Sequence, residues 1–374
     1  MQIRRVNTED ARDVKRFIDF PFQLYRRNLQ WVPTMKSEMQ LVLNRKRHPF
    51  YHHSEADFFL AENNGETAGR IAVLHNRNYT AHHNLNTAFF CYFDAVEDLA
   101  VSRALFAAAF DWAKKRGLTA VLGPKGFLRS SGVGMLVEGF EYRPAMGILY
   151  NYPYYDALLT DSGFVKETDY LSGYMEYSAE LPSRLYEIAE KIRERGNFWI
   201  KTFKNKAEMR HWIPMVNLVH HESFHNNAGY YPTTDEEFAM IANTMIQIAD
   251  PGLIKLIMKD DQVAGFIIAY ADVSEALQKI GGELWPFGWY TVLKEQKRTQ
   301  LVDLNGVGLL PKYQGRGANA FLYAELEKTL RARQQFRKAE IVQVDERNFK
   351  SKSDMETMGV TWYKRHRLYT RPLD

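Results

Sequence analysis

The sequence predicts a mixed α/β fold of the α+β kind, built as two tandem domains that each have a central mixed β-sheet flanked by helices. Three observations predict it. The same order of strand and helix patterns occurs twice, each half contains a long helix followed by a buried strand, and a helix pattern lies between the halves. We place the domains at residues 1–176 and 177–374.

Both halves open with the same elements. The stretches "IRRVNTEDARDVKRFI" from Ile3 and "IKTFKNKAEMRHWIPM" from Ile200 each indicate a short alternating strand, a polar turn and an amphipathic helix. Hairpin patterns follow in "FFLAENNGETAGRIAVL" and "IKLIMKDDQVAGFIIAY", whose Ala-Gly pairs end at Gly69 and Gly265. The shared order favours tandem duplication over two unrelated domains with common local patterns.

The later elements also correspond. A long helix at 98–117 precedes the strand "LTAVLG", and leucines at helical spacing over 322–330 precede a strand at 339–344. A strand before each helix completes a β-α-β crossover, which is nearly always right-handed. The helix pattern at 182–196 bridges the two halves.

The composition is that of a globular protein. With 45% apolar and 25% charged residues, it is not the composition of a disordered chain. The formal charge is +4, and the absence of a concentrated basic stripe argues against a nucleic-acid partner. The single cysteine, Cys91, excludes an internal disulfide and fits a reducing compartment. Because no signal peptide or membrane span is evident, we expect a cytoplasmic protein without a membrane partner, and the oligomeric state is open.

The stretch "LVDLNGVGLLPKYQGRGANAFLYAEL" is typical of a phosphate-binding turn. Pro311 stops a strand, and a helix begins near Gly317. The first N–H groups of a helix have no internal partner and attract anions, glycines at 315 and 317 let a diphosphate approach the backbone, and Arg316 adds a positive charge. An ordinary strand-to-helix turn explains the local pattern equally well.

The surrounding order of elements resembles the GNAT superfamily of acyl-CoA N-acyltransferases. Its signature, V-x-V-x-P followed by [RQ]-x-x-G-x-[GA], corresponds to Val307–Pro311 and Gln314–Asn319, with Asn319 departing at the last position. The first half shares the element order but has no Q-x-x-G, and acidic residues at 94, 97 and 98 would repel phosphates there. The resemblance therefore spans nearly the whole chain, whereas its cofactor motif lies only in the second half.

The resemblance implies an acyl-CoA-dependent N-acyltransferase with acetyl-CoA, or another acyl-CoA, as cofactor. It implies direct transfer, with acetyl as the expected group, to an unidentified small-molecule or peptide amine. A backbone N–H near the end of the strand would stabilise the oxyanion. The cofactor-binding residues that it implies are Leu309, Leu310, Gln314, Gly315, Arg316, Gly317, Ala318, Asn319 and Asn348.

Catalysis by such a protein needs a base for the amine and an acid for the leaving thiolate. Asp303, on the strand before the loop, and Glu346, at the end of the next strand, are the candidate bases, although either could be a solvated strand-end carboxylate. The position at which GNAT enzymes usually carry a tyrosine acid is Met355. Tyr363 is the substitute candidate, but "TWYKRHRLYTR" alternates like a strand, so packing also explains it.

A competing motif lies early in the second half. His221-Glu222-Ser223-Phe224-His225 matches H-E-x-x-H, which on a helix could bind zinc in a peptidase. Because the helix pattern ends within a turn and no third ligand is evident, we predict no metal and assign His221 and His225 to the acceptor side. A CoA-binding protein of the same fold without catalysis is the second alternative.

Overall fold

The computed structural model describes residues 1–176, 181–195 and 197–373, and it confirms the predicted mixed α/β fold. Within these ranges thirteen strands form one mixed sheet with helices against both faces. The first-half elements are β1 (Gln2–Arg5), α1 (Ala11–Leu24), α2 (Lys36–Leu43), β2 (Glu55–Asn63), β3 (Glu66–His75), α3 (Arg77–His83), β4 (Thr87–Ala95), α4 (Leu99–Lys114), β5 (Ala120–Gly123), β6 (Met135–Glu138), α5 (Tyr155–Asp161) and β7 (Val165–Glu176).

The second half follows a similar order, with two helices after its hairpin where the first half has α3, and with no counterpart of β6 among the described residues. Its elements are α6 (Ser183–Arg195), β8 (Phe198–Lys201), α7 (Lys206–His211), α8 (Ile213–Phe224), α9 (Asp235–Ile248), β9 (Ile254–Lys259), β10 (Gln262–Ala271), α10 (Ser274–Lys279), α11 (Gly288–Arg298), β11 (Leu301–Leu309), α12 (Ala318–Arg333), β12 (Lys338–Asp345), α13 (Phe349–Thr357) and β13 (Thr361–Pro372). The bridging helix predicted at 182–196 is α6, and Gly196, its predicted end, lies outside the described residues.

Side-chain alternation along the strands separates two apolar layers. Along β3, Ile71 and Val73 join the cluster under α4, whereas Ala72 and Leu74 join the cluster under α1 and α2. Successive side chains of a strand point to opposite faces, so this pattern buries both sides of the sheet. The second half has the same layering, with α6 and α12 on one face and α8 and α9 on the other.

The two halves exchange their last strands. The strand order is β1-β2-β3-β4-β5-β13-β7-β12-β11-β10-β9-β8, which reads as the same series from either end. The last strand of the second half, β13, pairs with β5 of the first, while β7 pairs with β12 of the second, and β7 and β13 pair with each other. All three of these pairings are antiparallel, and they join the halves into one sheet.

This exchange bears on the predicted domains. If the chain is divided at this point, neither half has a complete sheet of its own. In the first half β5 pairs with β13 of the second, and in the second half β12 pairs with β7 of the first. The division at 176/177 stays a prediction, and residues 177–180 beside it lie outside the described residues.

Both predicted crossovers are present as parallel pairs, β4 with β5 and β11 with β12. The second pair is short. Residues 301–304 of β11 pair with residues 338–341 of β12, but β11 continues to Leu309 without further pairing to β12. The two strands therefore part beyond Leu304, and the second half of β11 presents an open edge immediately before α12.

Cys91 is a free, buried thiol. Among the helices that the structure describes, none combines the length and apolar character needed to cross a bilayer.

A buried carboxylate fixes the exchanged strands. The side chain of Asp169 on β7 is fully buried. Its carboxylate forms ion pairs with Arg367 at 2.9 Å, Arg365 at 3.1 Å and Lys166 at 3.0 Å. Burial alone would raise the pKa of Asp169, but these hydrogen bonds outweigh it and hold the pKa at about 2. The carboxylate therefore favours the β7–β13 pairing in its charged form.

We predict that Asp169→Asn lowers the free energy of unfolding by roughly 2 kcal/mol at pH 7. This is less than the about 3–5 kcal/mol for breaking a fully buried pair, because the arginines remain partly exposed. Since the folded pKa is about 2 and the ordinary value is 3.8, the wild-type advantage is complete above pH 4 and is lost as the pH falls towards 2. Urea unfolding of both proteins between pH 2.5 and 7 measures it, and an advantage independent of pH would contradict the assignment.

Candidate functional site

The loop between β11 and α12 has the backbone that its glycines allow. Gly315 and Gly317 have φ angles of +70° and +88°, a region that other residues rarely adopt. Gln314 folds back, and its side-chain amide donates to the Leu309 carbonyl at 2.9 Å. The loop is thereby held against the end of β11.

The amides of this loop are open. Within the described part of the chain, the backbone N–H groups of Gly315, Arg316 and Gly317 donate to no other residue, and Gly315 and Arg316 are exposed. Gly317 is the N-cap of α12 and provides no capping side chain. Unpaired N–H groups at the positive end of a sixteen-residue helix form a site for an anion such as a diphosphate.

Gly317 also has a packing role that the sequence did not reveal. A Cβ at this position would lie 2.5 Å from Cγ2 of Ile188 on α6. A Cβ at Gly315 would meet no atom within 4 Å. Substitutions at Gly317 therefore disturb the bridging helix as well as the loop, and Gly317 is a poor position at which to test binding.

The two candidate oxyanion donors at the end of β11, the N–H groups of Leu309 and Leu310, differ in whether they are already hydrogen-bonded. The N–H of Leu310 donates to the Ala264 carbonyl at 2.9 Å, so it is not free. Leu309 and Gly265 form the next pair in the ladder, beside the Leu310–Ala264 pair. Hydrogen-bonded and non-bonded pairs alternate in an antiparallel ladder, so the N–H of Leu309 points away from β10, towards the edge that β12 has left open.

The first half closes the equivalent position with its own side chains. Asp98 caps α4 by accepting from the Ala100 N–H at 2.8 Å. Asp94, just before it, is paired with Arg70 at 2.7 Å. Where the second half presents open amides, the first half therefore presents carboxylates.

Asn348 and Met355, the two positions singled out in the segment after β12, both make contacts within the fold. The side chain of Asn348 caps α13 by accepting from the Ser351 N–H at 3.2 Å. Met355 is buried in a small cluster with Ile341 and Val360. The position of the usual tyrosine is thus part of the packing under α13.

A cluster of buried acids lies on the other face of the same strand. Asp303 is in register with Tyr270 of β10 and with Glu340 of β12. Residues in register point to the same face, and Tyr270 belongs to the α8–α9 layer. Val302 and Leu309 contact the α12 layer instead. The strand that leads to the anion site therefore presents its carboxylate on the opposite face.

The acids outnumber the cations in this cluster. Lys364 of β13 is 2.6 Å from Glu340, with both side chains at most 2% exposed. Asp272 and Asp303 complete the group, and one oxygen of Asp303 has no hydrogen-bond partner among the described residues. Burial raises the pKa of Asp303 well above its ordinary value of 3.8, and the charges of Asp272 and Glu340 raise it further. The neutral form of Asp303 is therefore favoured.

Tyr363 is in this cluster, whereas Glu346 is not. Burial and a hydrogen bond to Glu340 raise the pKa of Tyr363. Glu346 accepts from Lys166 and from the Asp169 N–H at 3.0 Å, and these bonds hold its pKa below the ordinary value although burial would raise it. Glu340 and Glu346 are six residues apart, about 20 Å along an extended strand.

One protein-family model matches the second half of the chain. The acetyltransferase (GNAT) family matches residues 217–359, which include the loop, the acid-bearing strands and α13. This stretch lies in the second half of the chain, which therefore contains a GNAT acetyltransferase domain.

Two curated relatives extend along both halves. Protein YghO of Escherichia coli (strain K12) is 27% identical over 373 residues, covering 96% of this chain and 93% of its own length. The bacterial ceramide synthase of Caulobacter vibrioides is 27% identical over 369 residues, covering 96% of this chain and 95% of its own length.

Solved structures support the GNAT fold over the whole chain. A tandem GNAT protein from the clavulanic acid biosynthesis pathway superposes with a TM-score of 0.58 at 12% identity, covering 100% of this chain and 98% of that one. The tandem arrangement predicted from the repeated element order is confirmed.

The GNAT match also contains the H-E-x-x-H sequence. His221 and His225 lie at the end of α8, where His221 is hydrogen-bonded to the Tyr230 hydroxyl and His225 to Asn226. Their ring centroids are 6.4 Å apart. No group of three or more potential metal ligands occurs among the described residues.

A pair of cations near these histidines was missed by the sequence reasoning. Lys125 is buried, with Nζ 3.3 Å from the Gly229 carbonyl and 4.5 Å from the Tyr79 ring centroid. Arg129 lies 4.1 Å above the Tyr230 ring. Neither cation pairs with a carboxylate in the described ranges, and burial with the nearby Arg129 charge lowers the pKa of Lys125 to about 7. Only the fold brings this first-half loop to the end of α8.

We predict that Asp303→Asn removes a pH-dependent loss of stability. A carboxyl whose folded pKa is raised binds its proton more tightly in the folded state, so its contribution is complete below pH 4 and declines as the pH rises. The variant should match the wild type near pH 4.5 and exceed its free energy of unfolding by about 1–2 kcal/mol at pH 8.

Denaturant unfolding at several pH values measures this difference. Asp261→Asn is the matched control, because Asp261 is exposed. A stability difference that does not change between pH 4.5 and 8 in Asp303→Asn would show that Asp303 does not titrate in this window.

Proposed function

We propose that the protein is an acyl-CoA-dependent N-acyltransferase that transfers its acyl group, acetyl in the simplest case, directly to the amine of an acceptor. The observation that carries this proposal is the geometry of β11. One strand leads to an open amide cradle at its end and presents a buried carboxylate on the opposite face. A cofactor and an acceptor can thus approach the same strand from two sides.

The cofactor side supplies binding and orientation. The amides of Gly315, Arg316 and Gly317 would hold the diphosphate, with Arg316 adding charge-assisted hydrogen bonds. The N–H of Leu309 would donate to the thioester carbonyl and stabilise the developing oxyanion. Ala318, Asn319 and Asn348 line the first turns of α12 and α13 and would contact the cofactor rather than the reacting carbon.

The acceptor side supplies proton transfer. The amine nitrogen would attack the thioester carbon, Asp303 would take the amine proton, and the thiolate would leave and be reprotonated. Burial and the neighbouring acids favour the neutral form of Asp303, so its ionised form would be the base and would hold a proton more tightly than an ordinary carboxylate does. We assign Tyr363, fixed by Glu340, as the candidate proton donor to the thiolate and retain Glu346 as the weaker candidate base. His221 and His225 would border the acceptor.

A long-chain amine is the acceptor class that one relative favours. The Caulobacter relative is named a ceramide synthase, and a ceramide is the N-acyl product of a long-chain amine. The similarity covers both halves of this chain rather than the GNAT motif alone. In this form of the proposal the acyl group would also be long.

We predict that an acyl-CoA raises the melting temperature of the wild type and that Arg316→Glu weakens its binding about tenfold or more. The substitution reverses a charge beside the diphosphate without altering Gly317 or its contact with Ile188. Calorimetric titration with acetyl-CoA and palmitoyl-CoA gives the dissociation constants. Arg210→Glu, an exposed arginine on α7, is the control and should bind as the wild type does.

The outcomes separate the functional alternatives. No heat and no melting shift with either cofactor at millimolar concentration would rule out the proposed cofactor site. Binding without release of free thiol across a panel of short and long-chain amines would instead indicate a non-catalytic CoA-binding protein.

We predict that Asp303→Asn lowers kcat by about 10²–10⁴-fold, the usual contribution of a general base, while the dissociation constant for acyl-CoA changes little. Glu346→Gln, which removes a carboxylate tied to β7, should retain kcat within a few-fold. Thiol release with the best acceptor measures both. The reverse ranking of the two variants would move the base from Asp303 to Glu346.

A further inference from the structure

The segment between β10 and β11 has a concentration of exposed apolar side chains. Trp285, Phe287, Trp289, Tyr290 and Leu293 are each between 43% and 79% exposed, although they lie within nine residues of sequence. Isolated exposed apolar residues are common on protein surfaces, but a contiguous aromatic group marks an interaction surface. We call these five residues the aromatic patch.

The segment is firmly attached to the rest of the protein. Val292 on the inner face of α11 packs with Leu277 of α10 against Val32 and Met35 of the first half. The backbone N–H of Lys36 also donates to the Gly282 carbonyl at 3.0 Å. The aromatic patch is therefore a supported surface whose exposure is not explained by a loosely held loop.

Basic side chains continue the same surface. Lys294, Lys297 and Arg298 are exposed on α11, and Arg298 is paired with Glu275 at 2.7 Å and with the buried Glu295 at 2.9 Å. Lys294 and Lys297 form no ion pair with any described residue. Along α11, aromatic residues thus occupy the first turn and cations the last.

We propose that this surface docks the protein on an anionic lipid bilayer, with the aromatic patch in the headgroup region and the lysines against the lipid phosphates. Tryptophan and tyrosine side chains are favoured at the membrane–water interface, and surface-bound helices combine such a face with basic residues. A second copy of the chain fits less well. In a twofold interface this surface would face itself and bring Lys294 and Lys297 against their own like charges.

Helix α10 connects this surface with the buried acid cluster. Asp272 of that cluster lies two residues before α10, and Met146, which packs under α10, donates its backbone N–H to Asp303. Resting on the proposed function, this connection would place the carboxylates behind a lipid-facing platform, as an amine carried by a membrane lipid would require. Docking itself needs no catalysis, so the two proposals can fail separately.

Flotation of the full-length protein with vesicles tests the docking. Vesicles of phosphatidylcholine and phosphatidylglycerol in equal parts are compared with vesicles of phosphatidylcholine alone. The wild type should float with the anionic vesicles and bind at least tenfold more weakly to the neutral ones. Lys294→Gln with Lys297→Gln should weaken binding to the anionic vesicles about 30-fold, since each lysine near such a surface contributes about a factor of five.

The aromatic residues are tested in the same way. Phe287→Ala with Trp289→Ala should reduce the bound fraction at least tenfold on anionic vesicles. Trp199→Ala is the matched control, because Trp199 is 44% exposed, against 43% for Trp289, but lies on the edge strand β8. Circular dichroism and an unchanged melting temperature confirm that the variants are folded.

Three results would overturn the proposal. The first is that the wild type floats with neither vesicle. The second is that the Phe287 and Trp289 variant binds vesicles as the wild type does. The third is a dimer in sedimentation velocity that the same variant dissociates, which would identify a second copy as the occupant of the surface.

Discussion

The antiparallel pairing of β7 with β13 is the interaction on which the rest of the structure depends. Each of these strands is the last of its half, and each completes the sheet of the other half. Their pairing brings β12 of the second half and β5 of the first into one continuous sheet. A buried aspartate with three cationic partners fixes this contact, so the relative position of the halves is set by main-chain hydrogen bonds and charge together.

The acid cluster follows directly from this exchange. Lys364 and Tyr363 belong to β13, yet they meet Glu340 of β12 because the strand between them, β7, has come from the first half. Three carboxyls and one ammonium in a buried space cannot all be charged at low cost. Burial and the mutual repulsion of these acids therefore raise the pKa values of Asp303, Asp272 and Glu340 above their ordinary values.

Local patterns in the sequence were sufficient for the elements and for the loop. The helix beginning near Gly317, the stop at Pro311 and the repeated hairpins follow from turn chemistry and periodicity over a few residues. The partners of Asp303 did not follow, because Asp272, Glu340 and Lys364 are far apart in sequence and meet only through strand register. The strand exchange could not be predicted either. The local sequence patterns of β7 and β13 are the same whether each strand pairs within its own half or with the other half. The contact of Gly317 with Ile188 was equally invisible, as it joins two helices that no short motif connects.

The exchanged strands also limit how the two halves can evolve. In a tandem protein with separate sheets, one copy can decay or be deleted while the other continues to fold. Here the half with carboxylates at its helix start still supplies β7, without which β12 and the acid cluster would lack a neighbour. Selection can therefore change the helix start of the first half but not its last strand, because the sheet of the second half depends on that strand.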